Sequence, residues 1–120
     1  MTHPNLDFRI LGDGRAHTFK AGEAIFHAGE QGNVFYVIEA GTVEIRQGTK
    51  LLERLTHGDI FGEMAIIDHS PRAAEAIAAT DVKVFSVDED RFLYLIQEMP
   101  YFGLSVMRVL TSRLRAATIA

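Results

Sequence analysis

The sequence predicts a mainly β protein: an antiparallel jelly-roll sandwich with one short helix near residue 62 and α-helices at its C-terminal end. Between Ala16 and Val87, short segments rich in β-branched and aromatic residues alternate with Gly, Asn and Asp, as antiparallel strands and their turns do. After Val87 the apolar residues recur at helical spacing. The strand segments number roughly seven or eight, which is enough for two packed sheets whose closure hides their edges.

The strand candidates follow one another closely. The clearest are residues 34–39 and 42–46, joined through Ala40 and Gly41, and we interpret them as a hairpin because apolar and polar residues alternate in the second arm. The other candidates are residues 18–20, 24–27, 51–55, 74–79 and 82–87. Turns with positive φ explain the glycines between these segments: Gly22, Gly29, Gly32, Gly41, Gly48 and Gly58.

Two helices are expected after the strands. Asp88 is a good N-cap for a helix that runs to about Glu98, with Glu89 and Asp90 at its positive end. Its apolar residues are Phe92, Leu95, Ile96 and Met99.

Pro100 suits the first turn of a second helix. The apolar stripe of that helix is Phe102, Val106, Val109 and Leu110, and its end carries Arg108, Arg113 and Arg115. We expect one domain over residues 1–120, with the β unit at about 16–87 and the helices at about 88–117.

Charge and composition exclude several classes of partner. The chain has 12 basic and 16 acidic residues and a net charge of −4, so it lacks the cationic surface that neutralises a nucleic-acid backbone. The run MTHPNLDFRIL at residues 1–11 does not show the basic region followed by a long apolar run that is typical of a signal peptide, and no run of about 18 apolar residues that would span a membrane occurs. We therefore expect a cytoplasmic protein that binds neither nucleic acid nor membrane.

The motifs of catalysis and metal binding are missing from the sequence. Cysteine is absent, which excludes thiolate metal sites and disulfides. The carboxylates are dispersed, and neither a nucleophile elbow nor a P-loop occurs. The histidines lack the spacing of metal ligands: His3, His17, His27, His57 and His69. The sequence therefore predicts a protein that is not an enzyme and that has no metal or cofactor.

The segment from Gly62 onward combines residues that suit a sugar phosphate. A glycine at a helix start lets an anion approach the backbone, where free N–H groups and the helix dipole favour negative charge. Arg72 can donate two charge-assisted hydrogen bonds to phosphate oxygens. Glu63 accepts hydrogen bonds only, so it suits a sugar hydroxyl. Small side chains leave volume for the ligand: Ala65, Ala73 and Ala74.

The run FGEMAIIDHSPRAA at residues 61–74 resembles the phosphate-binding cassette of cyclic nucleotide-binding domains. That cassette reads FGE, a small-apolar stretch, then PR followed by A, S or T and A. Three further runs resemble the strand and glycine pattern of the family: FKAGEAIF at 19–26, GEQGNVFYVIEAGTVEI at 29–45 and LTHGDIFGE at 55–63. The resemblance covers roughly residues 16–100.

We keep the name cassette for residues 61–74, and the resemblance implies roles for several of its residues. Glu63 would take the ribose 2′-hydroxyl, Arg72 the cyclic phosphate, and Ala73 would offer its backbone N–H. Family members with Thr or Ser at the Ala73 position tend to bind cyclic GMP, so Ala73 favours cyclic AMP. Met64 stands where Leu is more common, a change that conserves volume. The implied ligand-binding residues are Phe61, Gly62, Glu63, Met64, Ala65, Arg72, Ala73 and Ala74.

Two other classes of function stay open beside the receptor. One is a protein-interaction module of the same fold that has lost its ligand, although the presence of both Glu63 and Arg72 argues against it. The other is a jelly-roll enzyme, which would need clustered metal ligands or a nucleophile with its base.

We expect such a receptor to signal through its C-terminal helices. Relatives control a fused helix-turn-helix, kinase or channel, and no segment of that kind is recognised in this sequence. Because Met1 has the character of a native start, we expect a free-standing receptor rather than a fragment of a longer protein. Its partner would be a protein effector or a second copy bound through the C-terminal helix. Ligand binding would shift the helices through residues such as Phe92 and Leu95.

Overall fold

The computed structural model describes residues 15–118. The strands are β1 (Ala16–Phe19), β2 (Ala24–Phe26), β3 (Val34–Ala40), β4 (Val43–Gln47), β5 (Lys50–Leu55), β6 (Ile60–Phe61), β7 (Glu75–Ala78) and β8 (Val82–Asp88). The helices are α1 (Met64–Ile67), α2 (Glu89–Glu98) and α3 (Pro100–Thr118). The N-terminal run MTHPNLDFRIL, which includes His3, lies outside the described residues.

The strands form two antiparallel sheets of four strands each, in the orders β1-β8-β3-β6 and β2-β7-β4-β5. This arrangement confirms the predicted mainly β fold with C-terminal helices. Every predicted strand is present, with ends shifted by one or two residues. β6 was not predicted as a strand, because its two residues are too few to show an alternating pattern.

The predicted hairpin of residues 34–39 and 42–46 is wrong. β3 and β4 are consecutive but belong to different sheets, and Gly41 lies at the corner between them with a φ of +91°. A Cβ atom on Gly41 would lie 2.3 Å from the carbonyl oxygen of Asp81. The backbone N–H of Thr42 donates to Oγ1 of Thr80 at 3.0 Å, which directs the chain away from β3. The hairpin partner of β4 is β5.

The glycines between the strands divide into two groups. Gly22, Gly29, Gly41, Gly48 and Gly58 have positive φ, as predicted for turns. Gly32 does not, so the prediction is wrong for this residue. The backbone conformation of Gly32 therefore does not explain why this residue is a glycine.

The core has two layers that share the sheet β1-β8-β3-β6. One layer lies between the two sheets and includes Ile38, Val43 and Val84. The other lies between this sheet and the helices and includes Phe35, Val87 and Leu95. β3 and β8 are therefore covered on both faces, which agrees with the near-continuous apolar sequence of β3.

The C-terminal helices form as the sequence predicts. Asp88 caps α2, since its Oδ1 accepts a hydrogen bond from the backbone N–H of Arg91 at 2.8 Å. On α3, the predicted stripe faces the core: Phe102, Val106 and Val109 are buried and Leu110 is partly buried. No helix in the described part of the chain is long and apolar enough to cross a bilayer.

Candidate functional site

The cassette forms one wall of a cavity beneath α1, bounded on its other sides by β4, β5 and the end of α3. The cavity has a volume of about 190 Å³, more than ten times the roughly 10–15 Å³ that one water needs on the same measure. It is therefore large enough for an organic ligand. All eight residues that the sequence singled out line it: Phe61, Gly62, Glu63, Met64, Ala65, Arg72, Ala73 and Ala74.

The backbone conformation of Gly62 determines where α1, the helix of the cassette, begins. Its φ of +82° lies outside the helical region, so α1 begins at Met64 and not at Gly62. A Cβ atom on Gly62 would lie 2.7 Å from Nη1 of Arg72 and 3.3 Å from the ring of Phe26. Both the φ angle and the close approach of Arg72 therefore favour glycine here.

The return from α1 to Arg72 is a tight turn. Asp68 ends the helix, and its Oδ1 accepts a hydrogen bond from the backbone N–H of Ser70 at 3.0 Å. His69 has a φ of +58°, and Pro71 follows two residues later. The turn brings Arg72 back beside Gly62.

Arg72 is a buried cation, with 7% of its surface exposed. Its Nη1 donates to the carbonyl oxygen of Gly62 at 2.9 Å, and its Nη2 donates to the carbonyl oxygen of Val34 at 2.8 Å. Its Cζ lies 4.2 Å from the centre of the Phe26 ring, at cation–π distance. Burial lowers the pKa of Arg72, but an arginine stays charged in proteins.

In the described part of the chain Arg72 forms no direct ion pair, although Glu30 and Glu63 are close enough for their charges to favour its charged form. The ion pairs of that part join other residues. A guanidinium has five N–H donors, and the two carbonyl bonds leave others for a further acceptor. A buried cation without an anion in direct contact is costly, so the position of Arg72 favours an anionic group in the cavity.

Glu63 is a buried carboxylate, with 6% of its surface exposed. Burial raises its pKa, while the positive charge of Arg113 opposes this shift. Nη1 of Arg113 donates to Oε1 of Glu63, and Nη2 donates to the carbonyl oxygen of Ile60 at 2.6 Å. Nε of Arg113 also forms an ion pair with Glu53 at 3.3 Å. Glu63 is thus held in place by a side chain from α3.

The sequence interpretation missed Arg113, which it placed among the arginines at the helix end. A signal was present, because Phe102, Val106, Val109 and Arg113 are separated by four, three and four residues. This spacing places Arg113 on the buried face of α3, and it lines the cavity together with the cassette.

Glu63 and Arg72 are exceptional in this structure. Of the residues whose burial is described, 15–116, these are the two charged residues that are buried. Both line the same cavity, whose walls are otherwise mostly apolar, with Phe26, Ile45 and Leu52 among them. The cavity therefore offers one site for an anion and one for a hydroxyl group. No cluster of potential metal ligands occurs within residues 15–118.

Known proteins resemble this chain in sequence and structure. The family model described as "Cyclic nucleotide-binding domain" matches residues 16–99. A cAMP-dependent protein kinase regulatory subunit from Hypocrea atroviridis is 37% identical over 65% of this chain and 17% of its own length. A CRP-like cAMP-activated global transcriptional regulator from Mycobacterium tuberculosis is 34% identical over 81% of this chain and 46% of its own length.

Among solved structures, the catabolite activator protein of Thermus thermophilus superposes with a TM-score of 0.79. It is 28% identical over 87% of this chain and 51% of its own. The chain thus spans about half or less of the length of these relatives. The family match covers most of the chain and all of the cassette, and the chain belongs to the cyclic nucleotide-binding domain family.

Proposed function

We propose that this chain is a non-enzymatic receptor domain that binds cyclic AMP in the cavity lined by the cassette. The observation that carries the proposal is the burial of Glu63 and Arg72 in one cavity. A cyclic nucleotide has a phosphate with one negative charge and a free ribose hydroxyl, which match a buried cation and a buried hydrogen-bond acceptor.

Eight residues of the cassette have a role in this proposal. Arg72 binds the cyclic phosphate with the donors that its two carbonyl bonds leave free. Glu63 accepts a hydrogen bond from the ribose 2′-hydroxyl. Backbone groups of Gly62, Met64, Ala65 and Ala73 face the ligand, and Phe61 and Ala74 contribute to the walls.

Cyclic AMP is preferred to cyclic GMP in this proposal because of Ala73. Its methyl group offers no hydroxyl to the guanine amino group. The two curated relatives named above are described as dependent on or activated by cAMP, which supports the same choice.

The first prediction is that cyclic AMP raises the melting temperature of the protein. A ligand at 100 times its dissociation constant stabilises the native state by about 2.7 kcal/mol, which corresponds to roughly 10 °C for a chain of this size. The measurement is a thermal-shift titration with cyclic AMP and cyclic GMP, with adenosine as a control that lacks the phosphate. Cyclic AMP should act at lower concentration than cyclic GMP, and adenosine should act weakly.

Absence of a shift with both cyclic nucleotides would contradict the proposal and favour a protein-interaction module of the same fold. Equal shifts with adenosine and cyclic AMP would show that Arg72 does not bind the phosphate.

We also propose that residues 1–120 are one cytoplasmic receptor domain that signals through its C-terminal helices. Arg113 supports signalling through α3, because it connects α3 to Glu63 and lines the ligand cavity. A protein effector or a second copy of the chain would read the state of α3.

The second prediction concerns this connection. Cyclic AMP should slow hydrogen exchange of the backbone amides near Arg113, because the ligand fills a cavity that this part of α3 covers and so opposes its local opening. Hydrogen exchange with mass spectrometry, with and without cyclic AMP, measures the effect. The Arg113→Met variant should lose most of it. Faster exchange near Arg113 in the presence of ligand would contradict the prediction.

A further inference from the structure

Gly32 lies in the loop between β2 and β3, where a turn does not require glycine. Its φ lies outside the left-handed region, so its φ angle does not require glycine. The space around Gly32, in contrast, leaves no room for a side chain. A Cβ atom on Gly32 would lie 2.4 Å from Cζ of Arg72 and 2.5 Å from both Nε and Nη2. The guanidinium of Arg72 thus occupies the space that a side chain at Gly32 would need.

The loop that carries Gly32 is fixed to the backbone of Arg72. The N–H of Gly29 donates to the carbonyl oxygen of Arg72 at 2.7 Å, and the N–H of Arg72 donates to the carbonyl oxygen of Glu30 at 2.8 Å. The carbonyl of Val34, at the other end of the loop, accepts from the guanidinium. The loop therefore cannot move away from Arg72 without breaking these hydrogen bonds. An added methyl group would displace the side chain of Arg72 instead.

We propose that Gly32 is a positioning residue that keeps open the space in which the guanidinium of Arg72 is held ready for the anion. Gly62 leaves the corresponding space on the other side, since a Cβ atom there would lie 2.7 Å from Nη1. Arg72 lies between the two glycines, bound to two carbonyl oxygens and stacked on Phe26. A cation fixed in this way before binding loses less conformational freedom when the ligand arrives. The inference rests on the proposed function.

The test is a double-mutant cycle of Gly32→Ala and Arg72→Ala, with cyclic AMP affinity measured by calorimetry and stability by thermal unfolding. In the native background, Gly32→Ala should weaken binding by about 10- to 100-fold, as for loss of a hydrogen bond to a charged group. In the Arg72→Ala background, Gly32→Ala should change affinity by less than about twofold and leave the melting temperature unchanged, because the clash is gone. Asn33→Ala, at the exposed neighbouring residue, is the control and should bind as the native protein does.

An equal lowering of the melting temperature by Gly32→Ala in both backgrounds would overturn the inference, because the loop itself would then require glycine. Native affinity in Gly32→Ala would also overturn it. If Gly32→Ala alone fails to fold, folding of the double variant supports the inference and its failure overturns it. If the native protein does not bind cyclic AMP, the proposed function fails, while the thermal cycle still decides whether Gly32 and Arg72 are coupled.

Discussion

Replacement of Arg72 by alanine should weaken cyclic AMP binding by about 2–5 kcal/mol, as for loss of one partner in a buried charge pair. This corresponds to a roughly 30- to 4,000-fold increase in dissociation constant. The effect is large because Arg72 is buried and, in the described part of the chain, forms no direct ion pair with a carboxylate. A bound phosphate would be left without its cation in a cavity with mostly apolar walls.

Calorimetry with cyclic AMP measures this effect, and Arg54→Ala is the matched control. The side chain of Arg54 is 60% exposed and pairs with Glu44 at the surface, so its loss should leave affinity unchanged. Arg72→Ala also frees the carbonyl groups of Gly62 and Val34, so binding must be measured well below its melting temperature. Arg72→Lys keeps the charge without the planar fork and should show an intermediate affinity. Unchanged affinity in Arg72→Ala would contradict the assignment of the site.

Local sequence patterns predicted the strands but not their partners. Alternation and turn residues reveal that 34–39 and 42–46 are extended, yet a tight connection between two strands is equally compatible with a hairpin and with a corner. The corner at Gly41 depends on Asp81 and Thr80, which are about forty residues away in the sequence. No local pattern contains that information.

The candidate site shows the same difference between contacts that a local sequence pattern predicts and contacts that depend on distant residues. The cassette residues Gly62, Glu63 and Arg72 are close in sequence, so a short motif was enough to bring them together. Arg113 follows Glu63 by 50 residues and reaches it only because α3 packs on the sheet. Gly32 was explained by a turn because a glycine between strands usually serves one, whereas its actual neighbour is a side chain forty residues further on.

Arg113 is also the residue for which we expect the second large effect. Arg113→Met should lower the free energy of unfolding by about 1–3 kcal/mol near neutral pH, because Glu63 would lose its counter-charge. Loss of one partner of a fully buried pair costs about 3–5 kcal/mol, and the smaller value applies because 25% of the Arg113 side chain is exposed. Urea unfolding measures the change. Arg115→Met, at an exposed position on the same helix, should have little effect.

The pH dependence of this loss of stability identifies its cause. Burial raises the pKa of Glu63 in the folded protein, so the folded state holds this proton to higher pH than the unfolded state does. The contribution of Glu63 to stability is therefore lost as pH rises above the ordinary range of a carboxyl group. Without Arg113 this pKa rises further, so the difference between the native protein and Arg113→Met should be larger at about pH 7.5 than at about pH 5.

Adding Glu63→Gln to Arg113→Met removes the titrating group, and the pH dependence that Arg113→Met introduces should disappear with it. A difference that stays constant across this pH range would mean that Arg113 acts through the carbonyl of Ile60 and through packing. The distinction matters for the proposed function, because Glu63 is also the proposed acceptor for the ribose hydroxyl. If Arg113 controls the charge of Glu63, then α3 and the ligand act on the same carboxylate, and each must affect how tightly the other is held.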